Sequence, residues 1–466
     1  MSMMQMLLGA AGTVSYPADT YWVKVMDKDG ATYSGRQYIL ALDSDNDGNI
    51  YAVGTRLTMS GAKGGLTLTK FDVEGAITWQ KGLISDPSGD YQIVGMYGVS
   101  VTDDGASIYT TTESDEGAMV TRWNSSGVIQ FQRQLGSGNV NDNSPFVMPL
   151  TSSDAPTVWM RQYTTTPARM VMMRLTNAGA TTWQTTIGAT GYNSAVQTVP
   201  QSGGDIDSSG NVYMPVFHAA SSGTTKYCGI AKWNSSGVHQ DTFVYNTVDG
   251  SSYTNSAPGE DMLRHVAVDS SGNMYAACKF KDSSVTHYKV TLMKLNSSGV
   301  IQWQRTVMHT DTYLQAFNLR VTSDDEVIWC IRDQRTGYAY LFLRYQADGT
   351  LVYKRELYVS GETMGYDGSM NINRNDNILF SWEENGDDDT QYLAQLPGDG
   401  SLTGTHGDFI WQDADSDISI ATTSYWGVST GDSFTTGTTS LANTDLSSDV
   451  QTVTNTIVEE SIQAVD

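Results

Sequence analysis

The chain has 466 residues, with 51 Asp and Glu against 27 Lys and Arg and a formal net charge of −24. A field of that sign repels phosphate backbones and anionic lipid headgroups, which argues against nucleic acid and membrane surfaces as partners. With 45 Gly, 10 Pro, 25 Tyr and 11 Trp, the mixture suits short strands and tight turns, and the length suits a barrel, propeller or solenoid rather than one ordinary core.

The chain opens on "MSMMQMLLGAAGTVSYP", an apolar stretch with no Lys or Arg before it. It is expected to be an apolar arm (residues 1–17) rather than a signal peptide. No later run approaches the roughly 18 apolar residues of a membrane span, so no membrane insertion is expected. Trp22, in "TYWVKV", then begins a strand with no repeat before it.

"DSDNDGNIY", residues 43–51, follows. Asp43, Asp45 and Asp47 are spaced like the first oxygen ligands of a calcium loop. However, Tyr51 and Gly54 stand where such a loop places its later acids. The alternative is a strand-to-strand turn, longer than the corresponding "DIDSSGNVY" and "VDSSGNMY". Calcium on these three aspartates is the only cofactor expectation; otherwise none is expected.

From here the chain repeats. Aromatic anchors close "GNIY" at Tyr51, "ASIY" at Tyr109, "PTVW" at Trp159, "GNVY" at Tyr213, "GNMY" at Tyr275, "EVIW" at Trp329 and "NILF" at Phe380. Each is followed by a second signature with a turn glycine: Gly75, Gly127, Gly179, Gly237, Gly299, Gly349 and Gly400. Lys70, Arg122, Arg174, Lys232, Lys294 and Arg344 stand five residues before the first six, and Gln395 before the seventh. Four residues after the glycine comes an aromatic at Trp79, Phe131, Trp183, Trp303 and Tyr353; the fourth copy has Asp241 there and Phe243 beyond it. Each unit reads as four short strands, a to d, which cannot cover both faces alone. The expected fold is therefore all-β: a seven-bladed β-propeller over residues 18–405, closed by the Trp22 strand as the outermost strand of the last blade, beside Leu393.

"VDSSGNMY" followed by "LMKLNSSGVIQWQRT" is similar to the SBBP-type β-propeller repeat family. That resemblance implies an architecture and brings no catalytic residues. "MQMLLGAAG" running into "DTYW", and "LPGDGSLTGTHG" leading into a Ser/Thr-rich tail, resemble structural proteins of tailed bacteriophages, marine ones in particular.

Catalytic signatures are absent: the six histidines form no H-x-H or H-E-x-x-H, and there is no G-x-S-x-G or P-loop. The chain is expected not to be an enzyme. The three cysteines, Cys228, Cys278 and Cys330, form no CxxC pair and are expected to be free. Recognition is expected on the b–c and d–a loops, whose Tyr, Ser, Gly and Asn offer rigid and adaptable contacts. The candidate binding residues are Tyr163, Tyr192, Tyr253, Tyr288 and Tyr338, toward a host surface glycan or protein. Residues 406–466 form an acidic Ser/Thr-rich tail; after Arg374 there is no Lys or Arg. Val450, Val453, Ile457 and Ala464 fit a weak helical stripe. Together these readings give a non-enzymatic virion protein, a tail, fibre or capsid appendage, assembled in the host cytoplasm. It would dock on other virion proteins through its arm and tail, with self-association open. The alternative is a bacterial surface or secreted polysaccharide-binding propeller.

Overall fold

The computed structural model describes residues 21–26, 37–56, 65–84, 93–114, 117–135, 142–148, 155–162, 169–189, 203–219, 226–247, 263–281, 288–309, 313–334, 339–360, 364–384, 391–406, 409–414, 418–422, 426–428, 434–437, 443–445 and 463–464. All of its regular elements are strands. β1 spans Trp22–Met26. The first sheet comprises β2 (Gln37–Ser44), β3 (Ile50–Arg56), β4 (Gly65–Phe71) and β5 (Ile77–Ile84). The second holds β6 (Ile93–Val101), β7 (Ser107–Ser114), β8 (Gly117–Asn124) and β9 (Ile129–Leu135). β10 (Asp142–Val147), β11 (Thr157–Gln162), β12 (Arg169–Leu175) and β13 (Thr181–Ala189) form the third. The fourth is β14 (Asp205–Ile206), β15 (Val212–Ala219), β16 (Lys226–Trp233) and β17 (His239–Thr247). The fifth is β18 (Leu263–Val268), β19 (Met274–Lys281), β20 (Tyr288–Leu295) and β21 (Ile301–His309). Then come β22 (Leu314–Val321), β23 (Val327–Asp333), β24 (Ala339–Tyr345) and β25 (Leu351–Val359) in the sixth. The seventh sheet has β26 (Met364–Ile372), β27 (Ile378–Glu384) and β28 (Gln391–Leu396), and β1 pairs antiparallel with β28 as its next strand, Lys24 opposite Leu393.

The first strands of neighbouring sheets touch: β2 meets both β6 and β26, β6 meets β10, and β18 meets β22. These strands therefore line a common axis, and the chain is a β-propeller. Buried apolar clusters fill the spaces between sheets, including one that joins Ile39 and Ile50 of the first sheet to Leu379 and Leu393 of the last.

The turn motifs explain the repeat. In the a–b turn, Asp45 Oδ1 accepts the N–H of Asp47 and of Asn49, while Oδ2 accepts from the Asn49 side chain and the Tyr51 hydroxyl. Asp207 and Asp269 repeat the first three bonds with Ser209 and Asn211, and with Ser271 and Asn273. The Asp45 turn closes from Asp45 to Asn49 just as the fourth sheet's closes from Asp207 to Asn211, so it is not lengthened. The strand-c base lies over the anchor ring in four sheets: Lys70 on Tyr51 at 5.3 Å, Arg122 on Tyr109 at 5.9 Å, Lys232 on Tyr213 at 5.0 Å and Lys294 on Tyr275 at 4.8 Å. In the other three the base position faces Thr157, Ile328 and Leu379, so Trp159, Trp329 and Phe380 sit one or two residues beyond the expected register.

The d-strand aromatics lock one sheet to the next. The indole N–H groups of Trp22, Trp79, Trp183 and Trp303 donate to carbonyls of the following sheet's c–d turn, at Val73, Ser125, Ser235 and Ala347. The glycine of that turn must lack a side chain twice over. Gly237 has φ +77°, and a Cβ there would lie 2.4 Å from the Trp183 ring; Gly75 stands in the same relation to Trp22. Phe243 takes this place in the fourth sheet, against Gly299.

The described strands of the tail pair with the sheets of the ring. β29 (Gly404–His406) and β30 (Phe409–Asp413) form a hairpin whose second strand extends the sixth sheet beyond β25. β31 (Ile418–Thr422) then extends the fifth sheet, β32 (Trp426–Val428) the fourth, β33 (Phe434–Gly437) the third and β34 (Asn443–Asp445) the second. β35 (Gln463–Ala464) pairs with β1. The tail thus runs backwards round the ring, antiparallel to each outer strand. Consequently β1 is not outermost, because β35 lies outside it. Trp411 and Phe409 are buried among Phe342, Trp382 and Tyr392. Val450, Val453 and Ile457 lie outside the described residues; Ala464, the last of that stripe, is in β35.

Candidate functional site

Four of the five candidate tyrosines, Tyr163, Tyr192, Tyr253 and Tyr338, lie outside the described residues. Tyr288 opens β20, with its backbone opposite Lys281. The structure therefore brings none of these side chains together among the described residues.

The three loop aspartates go separate ways. Asp45 is buried and committed to its turn, as above. Asp47 is exposed on the turn. Asp43 points along β2 to the neighbouring sheets: Oδ2 accepts the Val101 N–H at 2.8 Å, and Oδ1 accepts from Ser44 N–H and the Asn371 amide. Among the described residues no group of three or more His, Cys, Asp and Glu side chains could hold a metal ion. The D-x-D-x-D-G spacing is thus a turn anchor flanked by an axial aspartate and a solvated one, not a cation cage.

Asp43 belongs to a different site, at the axis. Asp205, on β14, repeats its role: Oδ1 takes the Ile206 N–H and Oδ2 the Val268 N–H of the next sheet, both at 2.8 Å. Asn371 of β26 donates to Leu42 O as well as to Asp43, and Asn318 of β22 donates to Met370 O. Arg320, also on β22, donates through Nε to Asn371 and through Nη1 to Asn318 and the Leu319 carbonyl. A Cβ on Gly203 would lie 3.8 Å from Arg320 Nη1, so the guanidinium reaches toward the fourth sheet. These groups come from the first, fourth, sixth and seventh sheets and meet where the inner strands end in their a–b turns.

Burial pushes both carboxyls up to about 6, and the Arg320 charge pulls them part of the way back. Arg320 is lowered by the same burial and supported by Asp205 and Asp43. The cluster can stitch inner strands to one another and can take up protons near pH 6. Each oxygen of Asp43 and Asp205 already accepts a backbone N–H, so neither carboxylate is free to act on a substrate.

A second charged group lies at the other end of an inner strand. Arg264 sits at the start of β18, where the pairing skips from Leu263 to His265. It is partly exposed, its Nε has no acceptor among the described residues, and burial lowers it, to about 10. Of these axial residues the sequence singles out only Asp43. Asp205, Arg264, Asn318, Arg320 and Asn371 occupy corresponding strands but differ in type, so no repeated motif marks them.

No family model and no curated protein matches the sequence. Among solved structures the chain is similar to the β-propeller domain of the Trilobed protease from Pyrococcus furiosus, at 8% identity over 78% of this chain and 94% of that one, TM-score 0.45. It is also similar to the Dos1 propeller, at 9% identity over 81% and 95%, TM-score 0.47. A protein of unknown function from Dyadobacter fermentans shares 10% identity over 80% and 98%, TM-score 0.43.

Proposed function

We propose that this chain is a non-enzymatic virion component of a tailed bacteriophage, a rigid seven-bladed ring that presents its b–c and d–a loops to a host surface glycan or protein. The observation that carries the reading is the tail, whose strands continue one sheet after another round the ring. Each added strand covers an edge that would otherwise pair with foreign strands, and β1 and β35 both lie in the sheet of β28. Such a ring suits display outside a cell, where nothing renews a damaged particle. The engaged axial carboxylates agree with a scaffold rather than an acid–base enzyme. The buried thiols of Cys278 and Cys330, neither of them in a disulfide among the described residues, agree with assembly in a reducing cytoplasm.

The reading also shifts the docking role. The described tail strands are paired with their own ring, so docking on other virion proteins rests on the N-terminal arm, whose sequence holds the apolar Met3, Met4, Met6, Leu7 and Leu8. Mass spectrometry of purified phage particles tests the proposal: the chain should be present at a fixed copy number, and deletion of residues 1–17 should remove it. Absence of the intact chain from particles would sink the virion reading and leave the polysaccharide-binding surface propeller in its place.

A further inference from the structure

We propose that the outer edge of β5 is the docking strand for this chain's own residues 451–457, which continue the belt that the tail lays round the ring. The inference is independent of the virion reading, because it concerns how the ring is sealed rather than where it is displayed.

The site is β5 itself. Among the described residues the first sheet alone has four strands, β2 to β5, whereas the other six have five or six. The sheet therefore ends in an eight-residue strand, Ile77–Ile84, with no described neighbour outside it. A strand so placed offers a row of N–H and C=O groups to any extended chain. Its sequence, "ITWQKGLI", has no Pro and a single charge, Lys81, so little in it deters pairing.

The occupant follows from the order and spacing of the belt. β30, β31, β32, β33 and β34 lie on the sixth, fifth, fourth, third and second sheets. They begin at residues 409, 418, 426, 434 and 443, so the chain passes one sheet every eight or nine residues. The first residue of each faces the last residue of its partner. Phe409 faces Val359, Ile418 faces His309, Trp426 faces Thr247, Phe434 faces Ala189 and Asn443 faces Leu135. The first sheet is next in that direction, since β2 meets β6 on one side and β26 on the other. One more step brings residue 451 or 452 opposite Ile84. β35 begins at Gln463, two sheets beyond β34, and the interval from Asn443 holds two steps of that length.

The sequence of the occupant agrees. Residues 446–462 lie outside the described residues and contain neither Gly nor Pro; within them "QTVTNTI", 451–457, has five β-branched side chains. Branching at Cβ suits a strand and weakens the helical stripe of Val450, Val453 and Ile457. A second copy, or a strand of another protein, would have to compete with a segment tethered a few residues from the edge, at an effective concentration on the order of millimolar.

Hydrogen exchange of the full chain tests this, read on the peptides covering 77–84 and 129–135. In the natural chain 77–84 should exchange as slowly as 129–135, whose outer neighbour β34 is in place. Val453→Pro with Thr454→Pro removes two adjacent backbone donors, one of which falls on the paired side whichever way the strand faces. In that variant 77–84 should exchange at least about tenfold faster while 129–135 is unchanged. A chain ending at Val450 should show the same loss at 77–84, and a synthetic peptide of residues 451–462 added in excess should restore the protection. Rapid exchange of 77–84 in the natural chain, or exchange that neither change alters, would overturn the proposal. Protection that appears only as the protein concentration rises would assign the edge to a second copy and overturn it as well. None of these results depends on whether the chain is found in phage particles.

Discussion

Asp43 and Asp205 set a pH dependence whose sign follows from their burial. Folding raises both carboxyls from the ordinary 3.8 to about 6. Between those values the folded chain binds protons that the unfolded chain does not, so stability falls as pH rises from about 4 to about 6 and is flat above. The change is on the order of 1–3 kcal/mol per group. Arg320→Gln removes the charge that pulls them back, so the step should move to higher pH in melts followed from pH 4 to 8. A second residue-scale test concerns Asp325 and Asp376, which hold φ +61° where the a–b turns of the first, second, fourth and fifth sheets have Gly. That conformation costs about 1–2 kcal/mol for a residue with a Cβ. It is offset because Asp376 accepts from the N–H and hydroxyl of Ser323, and Asp325 likewise from Ser270. Asp376→Gly alone should be near neutral. In a Ser323→Ala background the same change should stabilise by about 1 kcal/mol, measured by urea unfolding of the four-member cycle.

At the scale of elements, what was legible depended on how local the cause was. The a–b and c–d turns could be read because each is made by residues within five positions: an Asp or Asn caps its own loop and a glycine takes positive φ. The aromatic anchors were less secure, since the spacing drifts by one or two residues without changing the pattern. Thus Trp329 lies opposite Leu343 while Ile328 faces Arg344. The tail strands were illegible because they are only two to five residues long and carry no repeated motif. A strand of that kind is made by the edge it joins, not by its own propensity. The axial cluster was hidden for a related reason: Asp43, Asp205 and Arg320 meet only after more than 270 residues have closed the ring. The aromatic latches give the matching prediction. Gly237→Ala forces a Cβ onto the Trp183 ring at positive φ and should cost about 1–3 kcal/mol. Trp183→Phe, which keeps the ring but loses the bond to Ser235, should cost about 1 kcal/mol.

For the whole molecule, the decisive question is what the reversed tail does to the ring's lifetime. Four of its strands lie on the fifth, fourth, third and second sheets, and β35 lies on β1, which itself closes the seventh. Residues 418–466 carry β31 to β35. Removing them strips the outer neighbour from β21, β17, β13, β9 and β1 together, and takes Ile418 from the cluster it shares with Leu341 and Val307. Each stripped strand becomes an unprotected edge, a template for pairing with another copy. The inner three strands of every sheet and the aromatic latches remain, so the ring should still fold. Its unfolding should be faster, because late-added edge contacts act mainly on the unfolding rate. A chain ending at 417 should therefore unfold at least about tenfold faster in denaturant, a change of roughly 1.4 kcal/mol in the barrier, and should form dimers and larger species on size-exclusion chromatography. Truncation that leaves both the unfolding rate and the monomer unchanged would mean that the tail only rests on the ring.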